Sequence, residues 1–344
     1  MKKKRYIMIT SVVAAVCVIG ATCFATLGTG GNSAANSEEE TVAQSRFVFN
    51  ADSAYKYCAA QCDFGPRVMN SEAHDKCGKW IKGKFEEYGC SVESQKADLK
   101  GYDGTIYHNE NIIARTNPNA KQRILFCAHW DSRPWADNDP DENNHRKPVM
   151  GANDGASGVA AMIELARMLQ ADSAGVNIGV DFVCFDAEDS GTPQWADVDD
   201  DPDTWALGAQ YWAKDFAQNA ATRDWHYEYA ILLDMVGGEG AKFYKEGFSS
   251  EYAPDILANV WASANAAGYG SFFVDNMGGY ITDDHVPVNK IAGVRCVDII
   301  AYYPDCQQSS FGPTWHTVND TMEHISVSTL RAVGQTMAQL LSNY

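Results

Sequence analysis

The apolar run 182–185 ends in a group of carboxylates, Asp186, Glu188 and Asp189. A short apolar run of this kind is typical of a buried strand, and in open α/β sheets ligands bind just beyond the carboxyl ends of the strands. Because successive side chains of an extended segment point to opposite sides, one of two adjacent acids can bind a metal while the other transfers a proton. The alternative is a solvated acidic loop, since carboxylates are generally exposed.

Four further candidate metal ligands lie near turns or strand ends elsewhere in the chain: His129, Asp154, Asp234 and His316. Asp154 lies among three glycines ahead of a predicted helix, which implies a tighter backbone path than the N-cap role common for Asp requires. Asp234 lies inside an apolar strand, where a charge is costly unless it is paired or bound to a cation. Together with Asp189, these residues offer the imidazole nitrogen and carboxylate oxygen that zinc binds in catalytic sites with one open position.

Other chemistries have weaker signatures in this chain. The segment 155–158 does not fit the Gly-x-Ser-x-Gly elbow of the α/β hydrolases. The acidic run 197–203 lacks the Gly and the distal Glu of a helix-loop-helix calcium site, so a solvated loop is the favoured interpretation of that run.

Alternating strand and helix patterns must position the candidate ligands. Apolar spacing predicts helices over 71–88, 159–169, 208–218, 254–267 and 326–343, and strands over 91–94, 105–116, 122–128, 182–185, 229–236 and 293–302. The loop 133–150 is longer than most connections, which favours a functional role for it, and 190–205 is a second long loop. With no repeat and no internal linker, the pattern predicts a single three-layer α/β/α domain around a mostly parallel mixed sheet.

The composition excludes some classes of partner. The formal net charge is −18, which argues against nucleic acid, because affinity for nucleic acid rests on Lys and Arg contacts to phosphate. Aromatic residues make up 11% of the chain, which favours a globular fold with aromatic pockets over global disorder.

The N-terminus has the pattern of an export signal. Basic residues at 2–5 precede an uncharged run at 7–28, which predicts either a secretory leader or, because the run approaches bilayer-spanning length, an uncleaved membrane anchor. Residues 29–44 are rich in Gly, Ser, Asn and Glu and predict a flexible linker, so 45–344 is the predicted catalytic domain. The protein is therefore expected to be exported, either periplasmic or anchored to a membrane and facing the periplasm or exterior. In such a compartment the eight cysteines beyond the leader could form disulfides, although their pairing cannot be read from the sequence.

From about residue 64 to the C-terminus, the chain resembles the zinc exopeptidase superfamily that contains bacterial aminopeptidases and the animal-type glutaminyl cyclases. The segments His-Trp-Asp-Ser at 129–132, Gly-Ala-Asn-Asp-Gly-Ala-Ser-Gly at 151–158 and Asp-Ala-Glu-Asp at 186–189 match the superfamily as a whole. Three features are similar to glutaminyl cyclases in particular: the turn Asp-Asp-His-Val-Pro at 283–287, Trp195 shortly after the acidic pair, and Phe311 and Trp315 just before His316.

The resemblance implies a zinc-exopeptidase-like fold and a single zinc held by Asp154, Asp189 and His316. It implies that Glu188 is the acid and base of the reaction. The implied reaction converts the N-terminal glutamine of peptides or exported proteins to pyroglutamate with release of ammonia, while zinc polarises the γ-carbonyl group.

The same resemblance implies the surroundings of the substrate. Asp234 and Asp283 would form a carboxylate pair beside it, and Trp195, Phe311 and Trp315 would form the pocket wall. Two positions depart from the family pattern: Asp189 is a ligand that is more often Glu, and Asp298 stands where the animal cyclases carry a His.

Two alternative functions stay open on the sequence. In a two-zinc aminopeptidase, His129 and Asp234 would bind a second zinc, Asp154 would bridge the two ions, and Glu188 would activate the bridging water. The other alternative is a catalytically silent binding domain on the same fold. The presence of Glu188 together with the three ligands disfavours that domain.

Overall fold

The computed structural model describes residues 45–172, 175–198 and 201–344. Within these ranges the strands are β1 Ser91–Lys100, β2 Ile106–Arg115, β3 Gln122–His129, β4 Gly179–Phe185, β5 His226–Asp234, β6 Phe243–Lys245, β7 Phe273–Met277 and β8 Cys296–Ile300. The helices are α1 Ala51–Cys62, α2 Glu72–Glu87, α3 Ala156–Ala171, α4 Leu207–Gln218, α5 Gly247–Tyr252, α6 Pro254–Ala266, α7 His285–Lys290 and α8 Val327–Leu341. The predicted leader (1–28) and linker (29–44) lie outside the described residues.

Six of the strands form one mixed sheet in the order β1-β2-β4-β3-β5-β8. The pairs β1–β2 and β2–β4 are antiparallel, whereas β4, β3, β5 and β8 run parallel to one another. Carboxyl ends of parallel strands meet at one edge of a sheet, and that edge is where ligands bind in open α/β folds. The last residues of β3, β4 and β5 at this edge are His129, Phe185 and Asp234.

Helices cover both faces of the sheet, because side chains alternate between the faces along each strand. In β3, Ile124 and Phe126 belong to a large apolar cluster that includes residues of α1, α3 and α8. Leu125 and Cys127 belong to a second cluster with residues of α4. The predicted three-layer α/β/α fold around a mixed sheet is therefore confirmed.

Most of the predicted elements are present, with boundaries shifted by a few residues. Strand β1 is longer than predicted and continues to Lys100. Helix α7 begins inside the segment 283–287, which was predicted as a turn. Helices α1, α5 and α7 were not predicted: α1 has only a narrow buried stripe, and six residues are too few to show a helical period.

Among the described residues, no helix combines the length and the apolar composition needed to cross a bilayer. All eight cysteines beyond the predicted leader are free thiols, and all except Cys306 are buried. Cys127 and Cys184 lie inside β3 and β4, where a buried thiol packs as a small apolar side chain.

Candidate active site

Three of the predicted ligands converge at the carboxyl edge of the sheet. Asp154, Asp189 and His316 each offer a ligand atom, and these atoms lie within 4.8 Å of one another. Nε2 of His316 is 3.0 Å from Oδ1 of Asp189 and 3.6 Å from Oδ2 of Asp154. Asp154 Oδ2 and Asp189 Oδ2 are buried and accept no hydrogen bond. Because buried carboxylate oxygens without hydrogen bonds are costly, this donor set fits a cation, and one nitrogen with two carboxylates suits zinc.

Local backbone geometry brings these ligands together. Asp154 comes just before Gly155, which has a φ of 97°, and a Cβ atom there would lie 2.6 Å from the carbonyl oxygen of Asp131. Only glycine fits that position. His316 itself has a φ of 52°, a left-handed conformation that is uncommon for a non-glycine residue and tends to occur at functional sites.

Glu188 lies next to the metal ligands and lines the same cavity. Oδ1 and Oδ2 of Asp131 accept hydrogen bonds from the backbone N–H groups of Glu188 (3.1 Å) and Asp189 (3.2 Å), which holds the two acids in place. Burial raises the pKa of Glu188 well above its usual range. A carboxyl group with a raised pKa can both accept and donate a proton near neutral pH.

A second group of candidate ligands shares Asp154 with the first. His129, Asp154 and Asp234 offer ligand atoms within 4.8 Å of one another. Nε2 of His129 is 2.9 Å from Oδ1 of Asp154 and 3.2 Å from Oδ1 of Asp234. The structure therefore brings together all five predicted ligand positions, in two groups joined by one carboxylate.

Asp234 and Asp283 both line the cavity. Burial raises the pKa of Asp283 to about 7, and the charge of Asp234 contributes. Burial also raises the pKa of Asp234. Neighbouring carboxyl groups resist double ionisation, and the direction of both pKa shifts favours the protonated form.

A third group shares Asp283 with this pair: Asp283, His285 and Asp298 offer ligand atoms within 4.8 Å of one another. Nδ1 of His285 is 3.7 Å from Oδ2 of Asp298, while its Nε2 is 3.1 Å from Oε2 of Glu246. Burial raises the pKa of Asp298 well above its usual range. Asp298, which stands where the animal cyclases carry a His, is thus part of the buried polar network behind the cavity wall.

The cavity has a volume of about 280 Å³. Its lining combines the acidic residues with aromatic and apolar side chains, among them Trp205, Phe311, Trp315, Tyr280, Ile281 and Ile300. Phe311 and Trp315 pack against each other with centroids 4.8 Å apart. The cavity is thus small, and both acids and aromatic rings line it.

The structure places one of the predicted wall residues away from the cavity. Trp195 does not line this cavity; it packs edge-on against Trp135 and stacks with His145. Trp205 lines the cavity instead. No sequence pattern distinguishes Trp205. In the fold Gly191 leaves room for its ring, because a Cβ atom there would lie 2.1 Å from the indole.

Comparison with known proteins identifies the family. Residues 111–341 match the profile of peptidase family M28. The chain belongs to this family. Zinc, which the family implies, agrees with the donor set of Asp154, Asp189 and His316, and the prediction of a zinc cofactor is confirmed.

Two solved structures of high similarity carry different activities in their names. A glutaminyl cyclase of Bacteroides thetaiotaomicron, solved with bound N-acetylhistamine, is 48% identical with a TM-score of 0.82, over 86% of this chain and 99% of that protein. A leucine aminopeptidase precursor of the same organism is 47% identical with a TM-score of 0.81, over 88% of this chain and 99% of that protein.

A curated relative is more distant. It is an aminopeptidase of Bacillus subtilis, 28% identical over 272 residues, which are 76% of this chain. The chain spans half the length of that relative. The M28 fold is thus shared among proteins with two named activities, so the cavity must decide between them.

Proposed function

We propose that this M28 chain is a zinc-dependent glutaminyl cyclase, which converts the N-terminal glutamine of peptides or proteins to pyroglutamate and releases ammonia. The observation that carries the proposal is the small cavity in which three metal ligands, Glu188 and an aromatic wall converge. The 48% identity to the glutaminyl cyclase of Bacteroides thetaiotaomicron supports it.

The reaction requires the α-amine of glutamine to attack its own γ-amide carbon while ammonia leaves. A zinc ion held by Asp154, Asp189 and His316 would supply a Lewis acid for the γ-carbonyl oxygen. Glu188 accepts the proton that the attacking amine loses and delivers it to the departing amide nitrogen. Its raised pKa suits both steps, because a proton shuttle works best when its pKa is near the working pH.

The carboxylate pair Asp234 and Asp283 holds the amine end of the substrate. Burial favours the protonated form of Asp283, and a pair with one protonated carboxyl group presents both an acceptor and a donor to the nitrogen groups of the glutamine. In this role it orients the amine toward the γ-carbon rather than toward solvent, which lowers the entropic cost of ring closure.

The aromatic wall decides between cyclisation and hydrolysis. Trp205, Phe311 and Trp315 narrow the cavity and favour a glutamine side chain folded back toward its own amine. They also displace water, the competing nucleophile at the γ-amide carbon. A general aminopeptidase, in contrast, needs water beside its metal ions and space for a scissile peptide bond.

A two-zinc aminopeptidase is the second candidate, because His129, Asp154 and Asp234 form a group that could hold another ion. The leucine aminopeptidase precursor at 47% identity gives this candidate a named example. If this chain were such an aminopeptidase, Asp154 would bridge the two ions and Glu188 would activate the bridging water.

Incubation with a short peptide that begins in Gln distinguishes the two candidates. A cyclase releases ammonia and leaves a peptide lighter by one ammonia, without any free amino acid. An aminopeptidase releases free glutamine and also cleaves leucine chromogenic amides. Metal analysis after dialysis provides the second criterion: we expect one zinc per chain, whereas two ions, one of them lost in His129→Ala, would support the aminopeptidase.

A further inference from the structure

The loop 133–150 contains a buried ion pair beside the metal ligands. Nε and Nη2 of Arg133 donate to Oδ1 and Oδ2 of Asp137 at 3.0 and 2.6 Å, which is a bidentate contact. Arg133 is 1% exposed and Asp137 is 2% exposed. Burial of two charges costs free energy, and a buried ion pair is weak evidence for a contribution to stability. The position of this pair beside the active site therefore points to a role in the site.

Asp137 faces the rear nitrogen of a metal ligand. Its Oδ1 lies 3.5 Å from Nδ1 of His316, whereas Nε2 of His316 lies 3.0 Å from Oδ1 of Asp189. Nε2 is therefore the nitrogen that points at the metal position, and Nδ1 is the nitrogen that faces the carboxylate of Asp137. Metal-binding histidines commonly donate this second N–H to a carboxylate, which fixes the tautomer and makes the ligand nitrogen more basic.

Arg133 also contacts a second metal ligand and the pocket wall. Its Nη1 donates to the backbone carbonyl oxygen of Asp189 at 3.0 Å. The guanidinium lies over the indole of Trp205, 4.6 Å from the ring centroid. One side chain thus contacts the backbone of a ligand and the face of an aromatic wall residue.

Residues of the same loop also hold the backbone around His316. The N–H of Asn138 donates to the carbonyl oxygen of His316 at 3.0 Å, and its Nδ2 donates to the carbonyl oxygen of Trp315 at 3.2 Å. Oδ2 of Asp139 accepts from the N–H of Val318 at 3.1 Å. These contacts stabilise the left-handed conformation of His316, which is unfavourable for a non-glycine residue.

We propose that Arg133 and Asp137 form a positioning pair that sets the tautomer of His316, the place of Asp189 and the orientation of Trp205. The pair thereby increases zinc affinity and shapes the pocket wall without touching the substrate. The inference rests on the metal centre of the proposed function, but not on which reaction the centre performs.

The test compares zinc affinities, measured by competition with a chromogenic chelator, in wild type and Asp137→Asn. We expect zinc to bind about 10–100-fold more weakly to the variant. The matched control is Asp181→Asn, which breaks another buried Arg–Asp pair, with Arg123, at the start of β3 and β4 and far along the sheet from the ligands. Zinc affinity of Asp181→Asn should equal that of wild type even where its thermal stability falls.

Cobalt substitution adds a spectroscopic criterion. The visible absorption bands of bound Co²⁺ report the ligand field, so they should shift in Asp137→Asn and not in Asp181→Asn. If Asp137→Asn does not fold, Arg133→Lys replaces it, since Lys keeps the charge but loses the bidentate fork. We expect Arg133→Lys to bind zinc more weakly than wild type as well, and to lose the stacking of the guanidinium on Trp205.

Several outcomes would overturn the proposal: wild-type zinc affinity in Asp137→Asn, an equal loss in Asp181→Asn, or no zinc bound by wild type. Failure to cyclise Gln peptides would refute the proposed function and leave the positioning pair untouched, provided that Asp137→Asn still loses zinc affinity.

Discussion

The indole of Trp205 lies parallel to the imidazole of His316, with 2° between the ring planes and 6.2 Å between the centroids. Trp315 stacks on the same imidazole at 3.8 Å. The predicted metal ligand His316 thus contacts two of the rings that line the cavity. The aromatic wall of the cavity and the predicted metal centre therefore pack directly against each other. A substitution in the wall should affect catalysis.

Replacement of Trp205 by Ala should lower kcat/KM for Gln peptides by at least about tenfold, which corresponds to about 1.4 kcal/mol. The physical reason is the loss of the ring that narrows the cavity and excludes water, so a fraction of glutamine should also be hydrolysed to glutamate. Steady-state kinetics and mass spectrometry of the product measure both effects.

Trp195→Ala is the matched control, because it removes an indole from the same loop but outside the cavity. Its kcat/KM should stay near that of wild type. The opposite ranking of the two variants would restore Trp195 to the pocket wall.

Glu188→Gln should keep the fold and the zinc but lose kcat by about 10²–10⁴-fold, the usual contribution of general acid–base catalysis. The amide can neither accept nor deliver the proton. Asp189→Asn is the companion variant, and it should lose zinc. Retention of most of kcat in Glu188→Gln, or loss of its zinc, would show that the roles of the two acids are misassigned.

Glu246 should contribute stability that depends on pH. Burial alone would raise its pKa, but hydrogen bonds from His285 and Ser249 outweigh burial and lower the pKa to about 2, from an ordinary value of 4.5. Because the pKa is lower in the folded state than in the unfolded state, ionised Glu246 stabilises the fold above pH 4.5, and this stabilisation is lost as the pH falls toward 2. The contribution to the free energy of unfolding is about 3 kcal/mol.

Denaturant unfolding of wild type and Glu246→Gln, both without metal, between pH 6 and the lowest pH at which the fold persists, measures this contribution. The gap between the two free energies of unfolding should shrink as the pH falls below about 4.5. A constant gap over this range would contradict the role given to Glu246.

The N-terminal residues 1–28 should direct export, because basic residues precede an uncharged run. In the native host we expect the protein outside the cytoplasm, and its intact mass should distinguish a cleaved leader from a retained anchor. A version without residues 2–5 should accumulate in the cytoplasm. Cytoplasmic location of the full chain would refute the prediction of export.

The location of the site could be predicted from the sequence because strand ends are local features. An apolar run that ends in carboxylates, as 182–185 does at Asp186, indicates a buried strand with polar side chains at its end. A carboxylate inside an apolar run, as at Asp234, indicates a buried acid that needs a partner. The glycines around Asp154 indicate a tight turn in the same way. Proximity of these residues follows from parallel strands, whose carboxyl ends share an edge.

What the sequence by itself determined is thus the α/β class, the set of metal-binding residue types and the acid beside them, since each depends on local periodicity or spacing. Only the tertiary structure decided that Trp205 rather than Trp195 lines the cavity, and that Asp137 lies behind His316. Both lie in loops without periodicity, whose path is set by contacts distant in sequence. The space beside Gly191 admits one indole, and the guanidinium of Arg133 joins its own loop to the strand end at Asp189.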